Sequence, residues 1–265
     1  MGNRGPGLFW GGFLVIVGVL LLLANTGVLA NIDWNYVWPV LLIALGLWLI
    51  LARIGPGGAA SAVDTADSRD GLTRAKLEVA VGSGRIQVRS AALGDQLYRA
   101  HVEHAGTAPE VKLDRATGTL RISQRLDWFA GARRLRIDAQ VADAIPWEIV
   151  LNTGAIRGEF NLASTSLASF DCRTGASQVD LTVGTPKGAV PMRVQGGALT
   201  VNIVRPAGTA IRLQASGGAV QLRADGTRQD GIGSRDWRSA GYDSAADRYD
   251  VTVSGGALSV SIATS

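Results

Sequence analysis

Two long apolar stretches, residues 8–29 and 36–54, open this chain and are separated by a short polar break containing Asn31, Asp33 and Asn35. A helix needs about 20 apolar residues to cross a bilayer core of about 30 Å. The first stretch has that length and no charge, and the second meets its first charge only at Arg53. The spacing predicts a two-helix transmembrane hairpin over residues 1–54. A cleavable secretory signal does not fit, because its apolar core is shorter and no second apolar segment follows so closely. A buried hairpin in a soluble protein is the rival. It would require a polar face, which Leu20–Leu23 and the run from Leu41 to Leu51 do not leave. Trp10, Trp34, Trp38 and Trp48 lie near the ends of the stretches, where amphipathic rings favour the membrane interface. Arg4 and Arg53 flank the pair while the break carries only Asp33. The positive-inside bias therefore predicts a multi-pass cell-membrane protein with the downstream domain in the cytoplasm.

Beyond Ile54 the chain changes texture. Residues 55–70 are small and polar and predict a flexible linker. Residues 71–265 suit one domain with a single core. A net charge of +4, with arginines scattered among aspartates, gives no concentrated basic stripe and so no expectation of a nucleic-acid partner. One cysteine, Cys172, excludes an internal disulfide and an all-cysteine metal site.

The second part repeats a glycine-centred strand motif, in forms such as VAVGSGRIQV (79–88), VQGGALTVNIV (194–204) and VSGGALSVSI (253–262). Aligned on the second glycine, the units centre on Gly84, Gly154, Gly175, Gly197, Gly218 and Gly256. The middle four recur every 21 or 22 residues. Behind each glycine the apolar residues alternate, as in Leu199, Val201 and Ile203 or Val179, Leu181 and Val183, so one strand face is buried and the other meets water. The glycine is expected to make a corner, through positive φ and a close approach between coils. A period this short does not hold a propeller blade or a strand–helix–strand unit. It predicts an all-β, single-stranded-coil β-solenoid-like domain in which each rung covers the apolar face of the next. A flatter β-sandwich with long meanders is the alternative. Strands with turns at 105–109 and 115–119 precede the series, and residues 225–249 interrupt it as an expected lateral loop. Trp237 and Tyr242 are expected to fasten that loop to the domain, since a large ring gains more from burial than from exposure.

A catalytic constellation does not emerge. His101 and His104 stand three apart, which on a strand puts them on opposite faces. No G-x-S-x-G elbow, dinucleotide fingerprint or phosphate loop is present, and Asp225, Asp230 and Asp236 do not follow the calcium-loop spacing. Cys172 reads as a small buried hydrophobe. No catalytic, cofactor or metal site is therefore expected. One segment, 127–137, invites a different reading. Trp128, Phe129, Arg133, Arg134 and Arg136 combine aromatic and basic groups suited to anionic headgroups; the competing reading is a hairpin with a basic turn.

The segment GLFWGGFLVIVGVLLLLANTGVL followed by WPVLLIALGLWLI resembles the two-helix membrane region of the LiaI/LiaF-like family. From Leu77 onward, IPWEIVLNTGAIRGEFNL, the GGALTV and SGGAV units and the terminal GYDSAADRYDVTVSGGALSVSI resemble the toast-rack β domains of LiaF and of cell-wall-active-antibiotic response proteins. The resemblance implies a non-enzymatic, membrane-associated modulator of envelope-stress signalling. In one branch of the family the partner is a sensor histidine kinase, but LiaF-type proteins often have more membrane segments than the single hairpin read here. The apolar stretches make the lipid bilayer a partner, the resemblance implies a membrane or signalling protein, and the open edges of a stacked sheet allow a second copy of the chain to pair. A module binding envelope glycans or lipids is the alternative.

Overall fold

The structure is a computed structural model that describes residues 61–124 and 135–265, together with four helical positions, Pro39, Leu42, Ile43 and Gly46. The expected transmembrane hairpin otherwise lies outside the described residues. Among the described residues no helix is long and apolar enough to cross a membrane. The chain divides after Gly57 into two units, and every strand belongs to the second, Gly58–Ser265.

That unit is all-β. Its elements are β1 (Ser61–Ser68), β2 (Ala75–Ala91), β3 (Gln96–His104), β4 (Glu110–Asp114), β5 (Thr119–Ser123), β6 (Leu135–Ala142), β7 (Trp147–Leu162), β8 (Leu167–Arg173), β9 (Ala176–Val183), β10 (Ala189–Arg205), β11 (Ala210–Ala224), β12 (Thr227–Arg238) and β13 (Arg248–Thr264). The turns after β3 and β4 fall where the sequence places them. The long strands β2, β7, β10, β13 and β11 run parallel, and each is a rung with two arms joined at its glycines. The first arms of β2 and β7 flank β5 and β8, and the second arms flank β6 and β9. The two arms face each other across one core. Phe160, from a second arm, meets Phe170, from a first arm, edge to face at 5.3 Å. Leu77, Val79, Ile86 and Val88 of β2 are fully buried, as are Ile149 and Leu151 of β7 and Leu213 and Leu222 of β11. Fully burying such a side chain contributes about 1.5–3 kcal/mol, so each covered rung adds its own increment.

The glycines work differently from the corner expected of them. None of Gly84, Gly154, Gly175, Gly197, Gly218 and Gly256 has a positive φ. They sit within strands or beside them and are needed for close approach alone. A Cβ on Gly154 would lie 2.5 Å from the Gly82 carbonyl oxygen, one on Gly175 would lie 2.6 Å from that of Gly154, and one on Gly197 would lie 3.0 Å from that of Gly175. Gly256 meets Gly197 and Gly218 meets Gly256 in the same way, at 2.9 and 3.0 Å. A Cβ on Gly84 would stand 2.6 Å from the Leu135 carbonyl oxygen. The glycines thus form a spine, tied by backbone bonds such as Gly175 N–H to Gly154 O at 2.7 Å and Gly197 N–H to Gly175 O at 2.6 Å.

The spine also shows that the stack leaves sequence order. β13 lies between β10 and β11, paired with both from Arg248 onward. The turn joining β10 to β11 occupies only residues 206–209, yet a whole strand separates them. Residues 239–247 carry the chain back over the start of β11, where Ser239 exchanges bonds with Ile211 and the Asp247 carboxylate accepts the Gly188 N–H at 2.6 Å. At the far side Arg205, 3 % exposed, holds the end together. Its guanidinium donates to the Thr209 carbonyl at 2.7 Å and to the Asp225 carboxylate, and its own carbonyl accepts the Ser265 N–H at 2.9 Å.

Two expectations need correction. Residues 61–68 are not a flexible linker but strand β1, paired antiparallel with β3 from Ser61 opposite His104 to Ser68 opposite Gln96. An edge strand is held by one backbone ladder, and Val63 is its one large apolar residue, so hydrophobic periodicity gives no signal there. Residues 225–249 are not a lateral loop, because Thr227–Arg238 is strand β12, antiparallel to β11. The Asp225–Gly226 turn, with φ of 44° and 82°, reverses the chain. Asp-Gly after alternating Val220, Leu222 and Ala224 is the strongest short-range hairpin signal, and it marks this reversal. Strand β12 places Thr227, Gln229, Arg235 and Trp237 opposite the buried Ala224, Leu222, Ala215 and Leu213, so a mostly polar face closes the end of the core. Such a cap is what a stack of rungs requires at its terminus. Trp237 packs on the core and Tyr242 is buried, so both rings fasten this region as expected.

Gly154→Ala should cost about 1–3 kcal/mol through forced displacement of the neighbouring rung, and more than Gly197→Ala, where the approach is looser. Denaturant midpoints with an unchanged slope would check the ranking. Asp225→Asn keeps the turn conformation and removes the charge facing Arg205; it should cost about 2 kcal/mol by the same measurement.

Candidate functional site

The outward residues of the second arms form rows that run across the strands. One row reads Asp64, His101, Asp138, Gln87, Glu159, Asp180, Asn202, Ser261, each the register partner of the next. Its carboxylates are largely satisfied. Gln87 Nε2 donates to Glu159 at 2.7 Å, Gln178 and Asn202 donate to Asp180 at 2.9 and 2.6 Å, and Ser261 donates to Asn202 at 2.6 Å. At its β1 end the row floors a groove of about 390 Å³, lined by Asp64, Gln87, Arg99, His101 and Asp138 among others.

His101 lies in this groove. Its Nδ1 lies 2.6 Å from Asp64 Oδ1 and its Nε2 lies 3.6 Å from Glu103. The hydrogen bond to Asp64 raises its pKa above the ordinary 6.5, and desolvation opposes it. His104 points inward, buried, with Nδ1 3.2 Å from the Gly106 carbonyl. The two histidines are therefore on opposite faces, as their spacing requires. Among the described residues no cluster of His, Cys, Asp and Glu could hold a metal ion. Cys172 is fully buried in the core, and burial pushes its thiol up to about 12, which leaves almost no thiolate near neutral pH.

The next row, closer to the glycine spine, reads Ala62, Glu103, Arg136, Arg85, Arg157, Gln178. Of the expected headgroup-contacting residues, Trp128, Phe129, Arg133 and Arg134 lie outside the described residues. Arg136 is exposed on β6, 4.0 Å from Glu103. The register sets Arg136, Arg85 and Arg157 side by side on three neighbouring strands. Local sequence pattern does not single out Arg85 and Arg157, which are 51 and 21 residues from Arg136 along the chain and become its neighbours only through strand register. Like charges directly opposite on adjacent strands are unfavourable, and Arg85 and Arg157 form no ion pair among the described residues.

Residues 58–204, more than half the chain, match the sequence family described as the N-terminal domain of toast_rack. The chain belongs to the toast-rack family. Residues 8–50 match the LiaI-LiaF-like transmembrane region, which makes the toast-rack unit part of a membrane-associated protein. No curated protein matches it. Among solved structures, a proposed cell adhesion protein from Clostridium sporogenes ATCC 15579 shares the fold, with a TM-score of 0.66 at 19 % identity over 78 % of this chain and 100 % of its own. A proposed adhesin from Bacteroides fragilis NCTC 9343 aligns over 78 % of this chain and 99 % of its own at 10 % identity, with a TM-score of only 0.26. None of these matches is to a known enzyme. The toast-rack family match ends at residue 204, within the last two residues of β10, whose outer edge is covered here by β13.

A folded-state pKa raised by Asp64 means that His101 contributes stability below its unfolded value and loses it as pH rises through the folded one. The His101 titration followed by NMR should have a midpoint above 6.5, and Asp64→Asn should lower it.

Proposed function

We propose that this protein is a non-enzymatic, membrane-anchored scaffold or regulator in the bacterial envelope-stress response. It acts through protein–protein contacts or self-association, with residues 1–54 as a two-helix hairpin and the β unit on the cytoplasmic side. The observation that carries this reading is the use of the molecule's polar residues. They bond to one another in rows across a continuous stack, and among the described residues the groove holds no nucleophile paired with a base. The unit offers a partner surface and an edge. Strand β12 ends the sheet with one backbone ladder unpaired, and Ile232 on it is 80 % exposed. Free edges are where a second chain adds as a strand. The register shift that sets Gly218 and Ala219 of β11 against the single Ile232, and the charges of Arg228, Asp230, Arg235 and Arg238, interrupt that edge, which restricts the partner to one that accommodates them.

A second reading, an envelope glycan-binding module, is supported by the polar groove floored by β1, β3, β6 and β2, and it requires the unit to lie outside the membrane. The buried Cys172 makes the two readings separable. In cells carrying Ala263→Cys, at an exposed position, a membrane-impermeant maleimide should label nothing until the cells are opened. Labelling of intact cells would remove the cytoplasmic scaffold and favour the glycan reading. Extraction in mild detergent should return the scaffold in a defined complex or oligomer, and recovery as a lone monomer would count against it.

A further inference from the structure

On the second-arm face the arginine row sets three like charges side by side with little compensation among the described residues. On the adjacent acidic row each crowded carboxylate of the Glu159–Asp180 pair has amide donors. In the arginine row only Arg136 has a counter-ion, Glu103, at the outer limit of an ion pair. Arg85 is half-buried beside it, and Arg157 is exposed on the other side. Adjacent strands are about 4.8 Å apart, so the three arginines leave the backbone within about 10 Å of one another along the row. Each is a planar fork of N–H donors that matches phosphate oxygens.

The covalent path fixes what such a strip can meet. The transmembrane match ends at residue 50 and β1 begins at Ser61. The ten intervening residues, 51–60, reach at most about 36 Å when fully extended. The chain enters the β unit at the level of the arginines, because Ala62, the second residue of β1, lies in the same register row as Arg136, Arg85 and Arg157. A tether of this length raises the effective concentration of lipid headgroups for the whole β unit.

We propose that Arg136, Arg85 and Arg157 form a binding strip for the phosphate groups of anionic lipid headgroups, docking the β unit on the membrane that anchors it. The inference rests on the membrane association of the family and not on the scaffold reading, so it stands or falls separately. A basic residue close to an anionic surface strengthens attraction about fivefold. Arg136 shares its charge with Glu103, so Arg85 and Arg157 carry the larger part.

The full chain is reconstituted in nanodiscs of phosphatidylcholine with or without phosphatidylglycerol, and Thr200→Cys, exposed further along the same row, carries a fluorophore. Cys172 is buried and stays unlabelled. Quenching by a headgroup-attached quencher reports the docked fraction. Anionic discs should give strong quenching that falls at high salt. Arg85→Gln/Arg157→Gln should lower the docking equilibrium by roughly tenfold to thirtyfold, and Arg85→Lys/Arg157→Lys should recover part of that loss, since lysine keeps the charge without the fork. Arg193→Gln, on the outer face of the other arm, should leave it unchanged. Equal quenching in neutral and anionic discs, or a double glutamine variant that docks like the parent while keeping its thermal unfolding midpoint, would overturn the proposal. Inorganic phosphate that shifts the NMR signals of these arginines while anionic discs give no docking would overturn the lipid assignment.

Discussion

At every bend of the stack a glycine faces the carbonyl oxygen of the rung beside it, so closely that an added Cβ would lie 2.5–3.0 Å from that oxygen. Strands normally keep neighbours about 4.8 Å apart while side chains alternate freely. Here each rung must also turn from one arm to the other, and the turn tilts backbone toward backbone. The line from Gly82 through Gly154, Gly175, Gly197 and Gly256 to Gly218 meets that demand at every step. With the bends aligned, each arm keeps its register, and Phe160 and Phe170 can meet across the interior. The hydrophobic core follows from the spine, because a rung displaced at its bend would turn its apolar residues outward.

The insertion of β13 between β10 and β11 gives the fold its closure. Both neighbours carry the same small-residue bend, so Gly255 pairs with Gly196 on one side and Gly217 on the other. Contacts at the ends of the strands hold this order. Arg205 ties the end of β10 to Thr209, Asp225 and Ser265, while Asp247 and Ser239 hold the return segment. The buried guanidinium needs its acceptors, since an unpaired charge in that position would be costly.

For function, the consequence is a molecule whose interior is committed to packing and whose outer faces are polar and ordered. Rows of side chains across parallel strands can either satisfy one another or wait for a partner. The acidic row does the first and the arginine row the second. With a membrane segment a few residues upstream, the natural complement to that charge is the anionic surface itself.

The sequence alone determined that a membrane region precedes an all-β unit, that this unit is a stack of glycine-bent rungs, and that Cys172 serves packing while His101 and His104 face opposite ways. These depend on local pattern: run length, alternation and a period near 21 residues. It did not determine the order of the rungs, the membership of β1, the extent of β12 beyond the turn that Asp225–Gly226 marks, or the alignment of Arg85, Arg136 and Arg157. The order depends on contacts at the ends of the strands. The strands β1 and β12 depend on backbone ladders that place little demand on side chains. The alignment depends on strand register between residues up to 72 apart in the chain, which local patterns do not encode and the assembled sheet fixes.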